Sequence, residues 1–265
     1  MFPVYQTNSK PLVIAHRGGA ALWPENTLFA LQEAQKLGVD FSEIDVQMTR
    51  DGVLVAIHDE TIDRTTDKKG LVQELTLAEL KSVDAGYQWT NDGGRTFPFR
   101  GRGLTIPSLN EIFSAFPHDL ISLEIKQNDP PIAAAVGQII KRYGKTKQVL
   151  VSAFTGQTMK IFRRLYPGTI KATTHAEAKL FFGFSLLYLE SLCSLAADVV
   201  IVPLEKVTAR FVEAVHKKNK RVDVYTVNEI DDMNRLLSWA VDGIITDFPD
   251  RLLALLASSS YAKSA

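Results

Sequence analysis

Short runs of β-branched and other apolar residues alternate along the chain with longer stretches in which apolar positions recur every three or four residues. The short runs suit strands and the longer ones suit helices with one buried face. Strands are expected near 12–16, 41–48, 120–126, 148–153, 170–174, 198–202, 221–226 and 243–246, and helices near 27–37, 130–143, 156–165, 177–196, 208–218 and 229–240. Strand and helix taking turns in this way is the pattern of repeated βα units around a parallel sheet. Eight such strands suit a closed α/β barrel, the TIM (β/α)8 architecture. Asn26 and Thr208 are candidate helix N-caps, and Gly38 stands just past the first helix, where a left-handed residue is favoured.

Three segments depart from the alternation. The run VLVAIH at 53–58 follows the second strand after only Arg50, Asp51 and Gly52, too short for a parallel crossover, so it is expected to fold back as an antiparallel hairpin. A turn centred on Arg50 and Asp51 would set His58 opposite Glu43. The segment 85–107 carries aromatics, glycines and arginines without helical or strand period, and is read as a small inserted cap over the barrel mouth. Finally, Leu180 to Leu189 (LFFGFSLLYL) is mostly apolar and uncharged, yet far short of the ~20 residues that span a bilayer. A buried helix is the plain reading of it; a substrate-lining or peripheral membrane contact is the alternative.

Composition narrows the functional classes. Thirty Lys plus Arg balance thirty Asp plus Glu, which argues against nucleic acid as a partner, and 46% hydrophobic residues over 265 positions supply the core of a single domain, 1–265. The lone Cys193 can form no internal disulfide, and the opening residues MFPVYQTNSK lack the charged and apolar regions of a signal peptide. A cytoplasmic location is therefore expected. Oligomeric state leaves no trace in the sequence. The tail Ser258–Ala265 reads as frayed.

The chemistry-bearing residues gather at strand ends. His16 and Arg17 end the first strand at the barrel's C-terminal face, where barrel active sites assemble. Glu43 and Asp45 stand two apart on the second strand and therefore on one side of it, as do Glu124 and Lys126 on the next barrel strand. Buried carboxylates need compensation, and hard oxygen ligands of this kind suit one divalent cation, Mg2+ or Ca2+. Ion pairs with Arg17 or Arg50 are the structural alternative. The hairpin adds His58, followed by Asp59. Two histidines beside a cation suit general acid–base cleavage of a phosphodiester, with Arg17 or Lys126 neutralising developing charge. Asn26 and Thr27, opening the first helix, would favour a nearby phosphate or serve only as caps. His118 precedes a strand and His216 lies on a helix, both away from the mouth, whereas His175 follows the fifth strand at the correct face.

The run AHRGGAALWPENTLFALQEAQKLGVDFSEIDVQMTRDGVLVAIHDETIDRTTDKKG, followed by LEIK, YTVN and VDGIITDFP in order, resembles the glycerophosphodiester phosphodiesterase family over roughly 11–251. The resemblance implies a TIM barrel with an inserted cap, a divalent metal, and hydrolysis of glycerophosphodiesters to sn-glycerol 3-phosphate and an alcohol. It implies His16 and His58 as the acid/base pair, Glu43, Asp45 and Glu124 as metal ligands, and Arg17 and Lys126 as phosphate contacts. Many members carry tryptophan where this chain has Tyr225, near the glycerol pocket, so the alcohol preference is open. Two further expectations compete: lysophospholipase D action on single-chain lysophospholipids, and the substrate-hydroxyl attack of the similar sphingomyelinase D. A non-catalytic binding module would be expected to have lost one of the five key residues, and all five are present.

Overall fold

The computed structural model describes residues 10–127 and 130–258. These residues form nine strands and nine α-helices, the six helices expected and three more, α2, α3 and α9: β1 Leu12–Ala15, α1 Leu28–Leu37, β2 Phe41–Met48, β3 Leu54–Ala56, α2 Leu77–Lys81, α3 Leu109–Ala115, β4 Ile121–Ile125, α4 Pro130–Arg142, β5 Val149–Ala153, α5 Gly156–Leu165, β6 Ile170–Lys171, α6 His175–Leu186, β7 Val199–Pro203, α7 Ala209–Lys217, β8 Arg221–Tyr225, α8 Ile230–Ser238, β9 Gly243–Thr246 and α9 Pro249–Ser258. Eight strands run parallel in the order β6-β5-β4-β2-β1-β9-β8-β7, with β3 antiparallel on β2. A parallel bridge between Ala172 and Val199 joins the two ends and makes a barrel of the sheet. Of the expected tail, Ser258 ends α9 and the rest lies outside the described residues.

Two apolar shells hold the barrel. Inside, Leu12, Ile14, Phe41, Leu150, Ile170 and Val199 fill the floor with branched and aromatic side chains. Outside, the helices pack on the outward faces of the strands, Phe113, Val136 and Phe162 on one flank and Phe181, Phe211 and Leu236 on the other. Thr208 caps α7 by accepting from Phe211 N, and Gly38 ends α1 at φ 89°. Asn26 does not cap α1; Thr27 does, accepting from Ala30 N at 3.1 Å. Asn26 is turned inward to a different task, described below.

The hairpin forms with a register one step from that expected. Thr49 N donates to Val53 O, so three residues turn the chain and Gly52 takes the left-handed position at φ 78°. Val46 faces Ala56 and Met48 faces Leu54, so extending the register would set His58 against Ile44 rather than Glu43. β3 ends at Ala56, and His58 is placed by other means. The buried Gln47 amide donates to the carbonyls of Ile57, at 3.3 Å, and His58, at 3.0 Å, gathering this turn onto β2.

Between β3 and α3 the chain leaves the barrel and builds a small core of its own from Val55, Ile57, Ile62, Val72, Leu80 and Ile106. The 85–107 segment is thus the last part of a longer excursion. Trp89 Nε1 donates to Ala20 O at 3.0 Å and Phe99 stacks against Phe29, seating the segment beside the loop that leads into α1.

The apolar run 180–189 is not the buried helix expected. α6 starts two residues early at His175 and stops at Leu186, where Leu187 leaves the helix and Tyr188 turns left-handed at φ 58°. Phe181 is fully buried, but Leu187 is 68%, Tyr188 73% and Leu192 73% exposed. This surface lies away from the mouth. α6 begins at the strand C-termini, beside Tyr225, and its far end is about 17 Å along the axis at roughly 1.5 Å per residue. There Lys218, just ahead of β8, reaches Ser191 O. No helix among the described residues is long and apolar enough to cross a membrane.

Candidate active site

The HRG of the first strand makes a tight helical turn as β1 ends. Arg17 is left-handed at φ 52°, and Gly18, at φ 82°, leaves no room for a side chain: a Cβ there would come within 2.9 Å of Ala30 Cβ. The turn points His16 into the barrel mouth and aims Arg17 N at Glu43 Oε2, 2.8 Å away. Arg17 Nη1 donates to Glu25 at 3.0 Å while its Nε lies 3.3 Å from Asp45 Oδ2.

Glu43 and Asp45 project from β2 and Glu124 from β4, with Asp45 and Glu124 directly paired across the two strands. Each offers an oxygen within 4.8 Å of the other two, a group able to hold a metal ion. Lys126 Nζ contacts Asp45 Oδ1 at 3.0 Å and Glu124 Oε2 at 2.5 Å. Burial, with Asp45 and Glu124 beside it, pushes Glu43 up to about 8, against the pull of His16. Asp45 moves the other way. Burial alone would raise it, but Lys126, Arg17 and His58 together hold it below the ordinary carboxylate range. Asn26 completes its surroundings, donating from Nδ2 to Asp45 Oδ2 at 3.0 Å and accepting from Asp45 N at 3.1 Å. The donor set is hard oxygen from three acids, which suits Mg2+ or Ca2+ better than a soft metal.

Both histidines are anchored through Nδ1. His16 Nδ1 donates to Asp247 Oδ1 at 2.7 Å, and Asp247 Oδ2 in turn accepts from Asn228 Nδ2 at 2.8 Å. Burial would lower the His16 pKa, but Asp247 and Glu43 outweigh it and raise it above the ordinary value. His58 Nδ1 donates to Asp59 Oδ1 at 2.6 Å. His16 acts electrostatically on Glu43 and His58 on Asp45, so both rings neighbour the carboxylate cluster. Among the described residues neither Nε2 has a protein partner.

A cavity of about 220 Å³ opens beside this cluster, with His16, Glu124 and Lys126 on one wall and Phe154, His175 and Tyr225 on the other. Tyr225 OH donates to His175 Nε2 at 2.9 Å and the rings stack at 6.4 Å, with the edge of His175 against Phe154. A second groove of about 430 Å³ lies behind the same pair, walled by Phe182, Val202 and Pro203. His118 and His216 stay away from the mouth. His118 precedes β4, and His216 Nε2 donates to Asp242 ahead of β9.

Of the eight site residues expected from the sequence, His16, Glu43, Glu124, Lys126 and Tyr225 line the cavity, Asp45 and Arg17 are tied to them by ion pairs, and His58 stands on the neighbouring turn held by Gln47. Sequence reasoning gave no role to Asp247, Asn228, Glu25, Asp59 or Arg64, although each lies in or beside a recognised run: PENT, HDETIDRTT, YTVN and TDFP. His175, expected at the correct face, lines both cavities.

The model of the glycerophosphoryl diester phosphodiesterase family matches residues 16–251. A glycerophosphodiester phosphodiesterase from Caldanaerobacter subterraneus subsp. tengcongensis is 34% identical over 253 residues, covering 93% of this chain and 98% of that protein. One from Bacillus subtilis is 31% identical over 252 residues, covering 90% and 84%. Among solved structures, a phosphodiesterase from Oleispira antarctica in complex with the product sn-glycerol 3-phosphate superposes with a TM-score of 0.78 at 25% identity, over 94% of this chain and 97% of that one. Sequence match, barrel and acidic mouth agree: the chain belongs to the glycerophosphoryl diester phosphodiesterase family of phosphoric diester hydrolases.

Proposed function

We propose that this protein hydrolyses glycerophosphodiesters to sn-glycerol 3-phosphate and an alcohol with one divalent cation, Mg2+ or Ca2+, held by Glu43, Asp45 and Glu124. When bound, the cation supplies charge neutralisation at the phosphoryl oxygens. Arg17 and Lys126 bind the phosphate from the two sides on which they already flank Asp45. His16 and His58 act as general acid and base, one taking the proton of the attacking water and the other giving a proton to the leaving alcohol oxygen. The observation that carries this reading is the pair of Nδ1-anchored histidines neighbouring the carboxylate cluster, neither with an Nε2 partner among the described residues. Tyr225 and His175 wall the pocket that receives the organic part of the substrate.

A second reading, cleavage of single-chain lysophospholipids, draws on the groove behind Tyr225 and His175, which is lined by Phe182, Val202 and Pro203 and continues from the first cavity. The exposed leucines beyond α6 do not add to it, because they sit at the opposite end of that helix. A peripheral membrane contact through 180–189 would thus turn the mouth away from the bilayer.

The test is steady-state turnover of glycerophosphocholine and lysophosphatidylcholine side by side, each with Mg2+, Ca2+ or excess chelator. Chelator-sensitive release of glycerol 3-phosphate from the soluble diester is expected. Undiminished turnover in chelator would remove the cation from the mechanism, and preference for the lysolipid would establish the second reading.

A further inference from the structure

Four charged side chains and His58 form an unbroken chain along one edge of the site. Arg17 Nη1 donates to Glu25 Oε1 at 3.0 Å. Arg64 Nη2 donates to that same oxygen and Nη1 to Glu25 Oε2, both at 2.7 Å. Arg64 Nε then donates to Asp59 Oδ2 at 2.5 Å, and His58 Nδ1 donates to Asp59 Oδ1 at 2.6 Å. The chain ties together the turn after β1, the loop that leads into α1 and the excursion after β3. One end, Arg17, lies 3.3 Å from Asp45, and the other, His58, stands on the turn that Gln47 draws onto β2.

Each link answers a local need. His58 lies beyond the last paired residue of β3, so no strand ladder orients its ring. Asp59 is the only partner its Nδ1 has among the described residues, and Asp59 is itself a short, partly exposed side chain with freedom to rotate. Arg64 occupies the second oxygen of Asp59 and removes that freedom. The remaining two nitrogens of the guanidinium meet Glu25 as a planar fork, a match that lysine cannot reproduce. Glu25 is thereby fixed in the position from which it holds Arg17.

The geometry points to Arg64 as a positioning residue for the diesterase reaction. Through Asp59 it sets the tautomer and direction of the His58 ring, and through Glu25 it sets the direction of Arg17. This rests on the roles proposed above for His58 and Arg17. Among the described residues Arg64 makes no contact with Glu43, Asp45 or Glu124; its side chain is 47% exposed and that of Glu25 14%. A half-exposed pair contributes about 1 kcal/mol even in a bidentate network, so loss of Arg64 should be felt far more in turnover than in the melting temperature.

The full-length Arg64→Gln, Arg64→Lys and Asp59→Asn variants test this with glycerophosphocholine and Mg2+. For Arg64→Gln, kcat is expected to fall about 30- to 100-fold with KM within about threefold, the signature of lost alignment and not lost binding. The melting temperature should fall by no more than about 4 °C. A further variant, Arg64→Ala, should lose turnover as Arg64→Gln does and be partly rescued by added guanidinium, whereas Arg64→Lys should not restore turnover. Combining Arg64→Gln with Asp59→Asn should cost no more than the worse single change, because both act through one ring. A readout independent of turnover is the 15N spectrum of the His58 ring, expected to show a single Nδ1–H tautomer in wild type and a mixture in Arg64→Gln. A kcat within twofold of wild type in Arg64→Gln, or an unchanged single tautomer, would overturn the proposal. Should the wild-type chain fail to turn over any glycerophosphodiester, the proposed function falls, while the tautomer comparison still decides the role of Arg64.

Discussion

His16 Nδ1 and Asp247 Oδ1 are 2.7 Å apart although 231 positions separate them, because β1 and β9 are neighbours in the barrel. The last motif of the chain thus orients the histidine of the first. Asp247→Ala is expected to lower kcat about 100-fold with little change in KM, since the His16 ring loses the partner that directs its Nε2. Steady-state kinetics with glycerophosphocholine checks it; an unaffected kcat would separate His16 orientation from Asp247.

Asn26 should act through the cation site. Its amide grips both the side chain and the backbone N–H of Asp45, so Asn26→Ala is expected to weaken divalent-cation binding by about 10- to 100-fold, the usual cost of losing a group that orients a ligand. Isothermal titration with Mg2+ or Ca2+ reads this directly. An unchanged affinity would assign Asn26 to the loop alone.

Tyr225 should tune binding more than chemistry. Tyr225→Phe removes the bond to His175 but keeps the stacked ring, and a neutral hydrogen bond contributes about 1 kcal/mol. A roughly fivefold rise in KM with kcat within about twofold is expected. A collapse of kcat instead would place the Tyr225 hydroxyl among the reacting groups.

A buried carboxylate outside the site makes stability pH-dependent. Asp223 is 1% exposed, neither oxygen accepts a hydrogen bond among the described groups, and the nearest cation, Arg221 Nη2, is 3.8 Å away. Gly243 makes room for it, since a Cβ there would come within 2.4 Å of Asp223 Oδ1. Burial pushes its pKa up from 3.8 to about 6, with Asp242 adding to the shift and Arg221 opposing it. Below pH 3.8 the group is protonated folded and unfolded alike and contributes no pH dependence; between there and pH 6 the unfolded chain ionises first. Stability is therefore lost as pH rises through this window, by about 3 kcal/mol in total from a shift of roughly two pKa units. Relative to wild type, Asp223→Asn should gain stability between pH 4 and 7, measured by urea denaturation at each pH. A constant difference would mean that Asp223 stays ionised.

The two ends of α6 should respond differently to substitution. Phe181→Ala opens a cavity in the barrel's outer shell and is expected to cost about 3–5 kcal/mol, while Leu187→Ser, at a position 68% exposed, should change stability by less than about 0.5 kcal/mol. Denaturant melts of the two variants check the pair. A large loss at Leu187 would mean that this face is covered in solution.

The eight parallel strands, the caps at Thr208 and Gly38, and the coming together of Glu43, Asp45 and Glu124 were legible in the sequence. They follow from short-range rules: apolar period, the two-residue repeat of a strand and the backbone freedom of glycine. What was misread depended on partners distant along the chain. The apolar letters of Leu187, Tyr188 and Leu192 do not say which of them is buried; the chain leaves the helix before they reach the core, and only the Tyr188 ring is covered on one face, by Arg210. His58 does not face Glu43, because a three-residue turn moves the register by one and β3 stops short of it. The Asp247–His16 bond and the Arg17–Glu25–Arg64–Asp59–His58 chain have no periodicity to read, since closure of the barrel and docking of the excursion after β3 create them. The sequence by itself determined the barrel and which histidines and carboxylates are the candidates at its mouth. The tertiary structure alone decided their aim, because hydrogen-bond direction depends on distances between segments that no local pattern encodes.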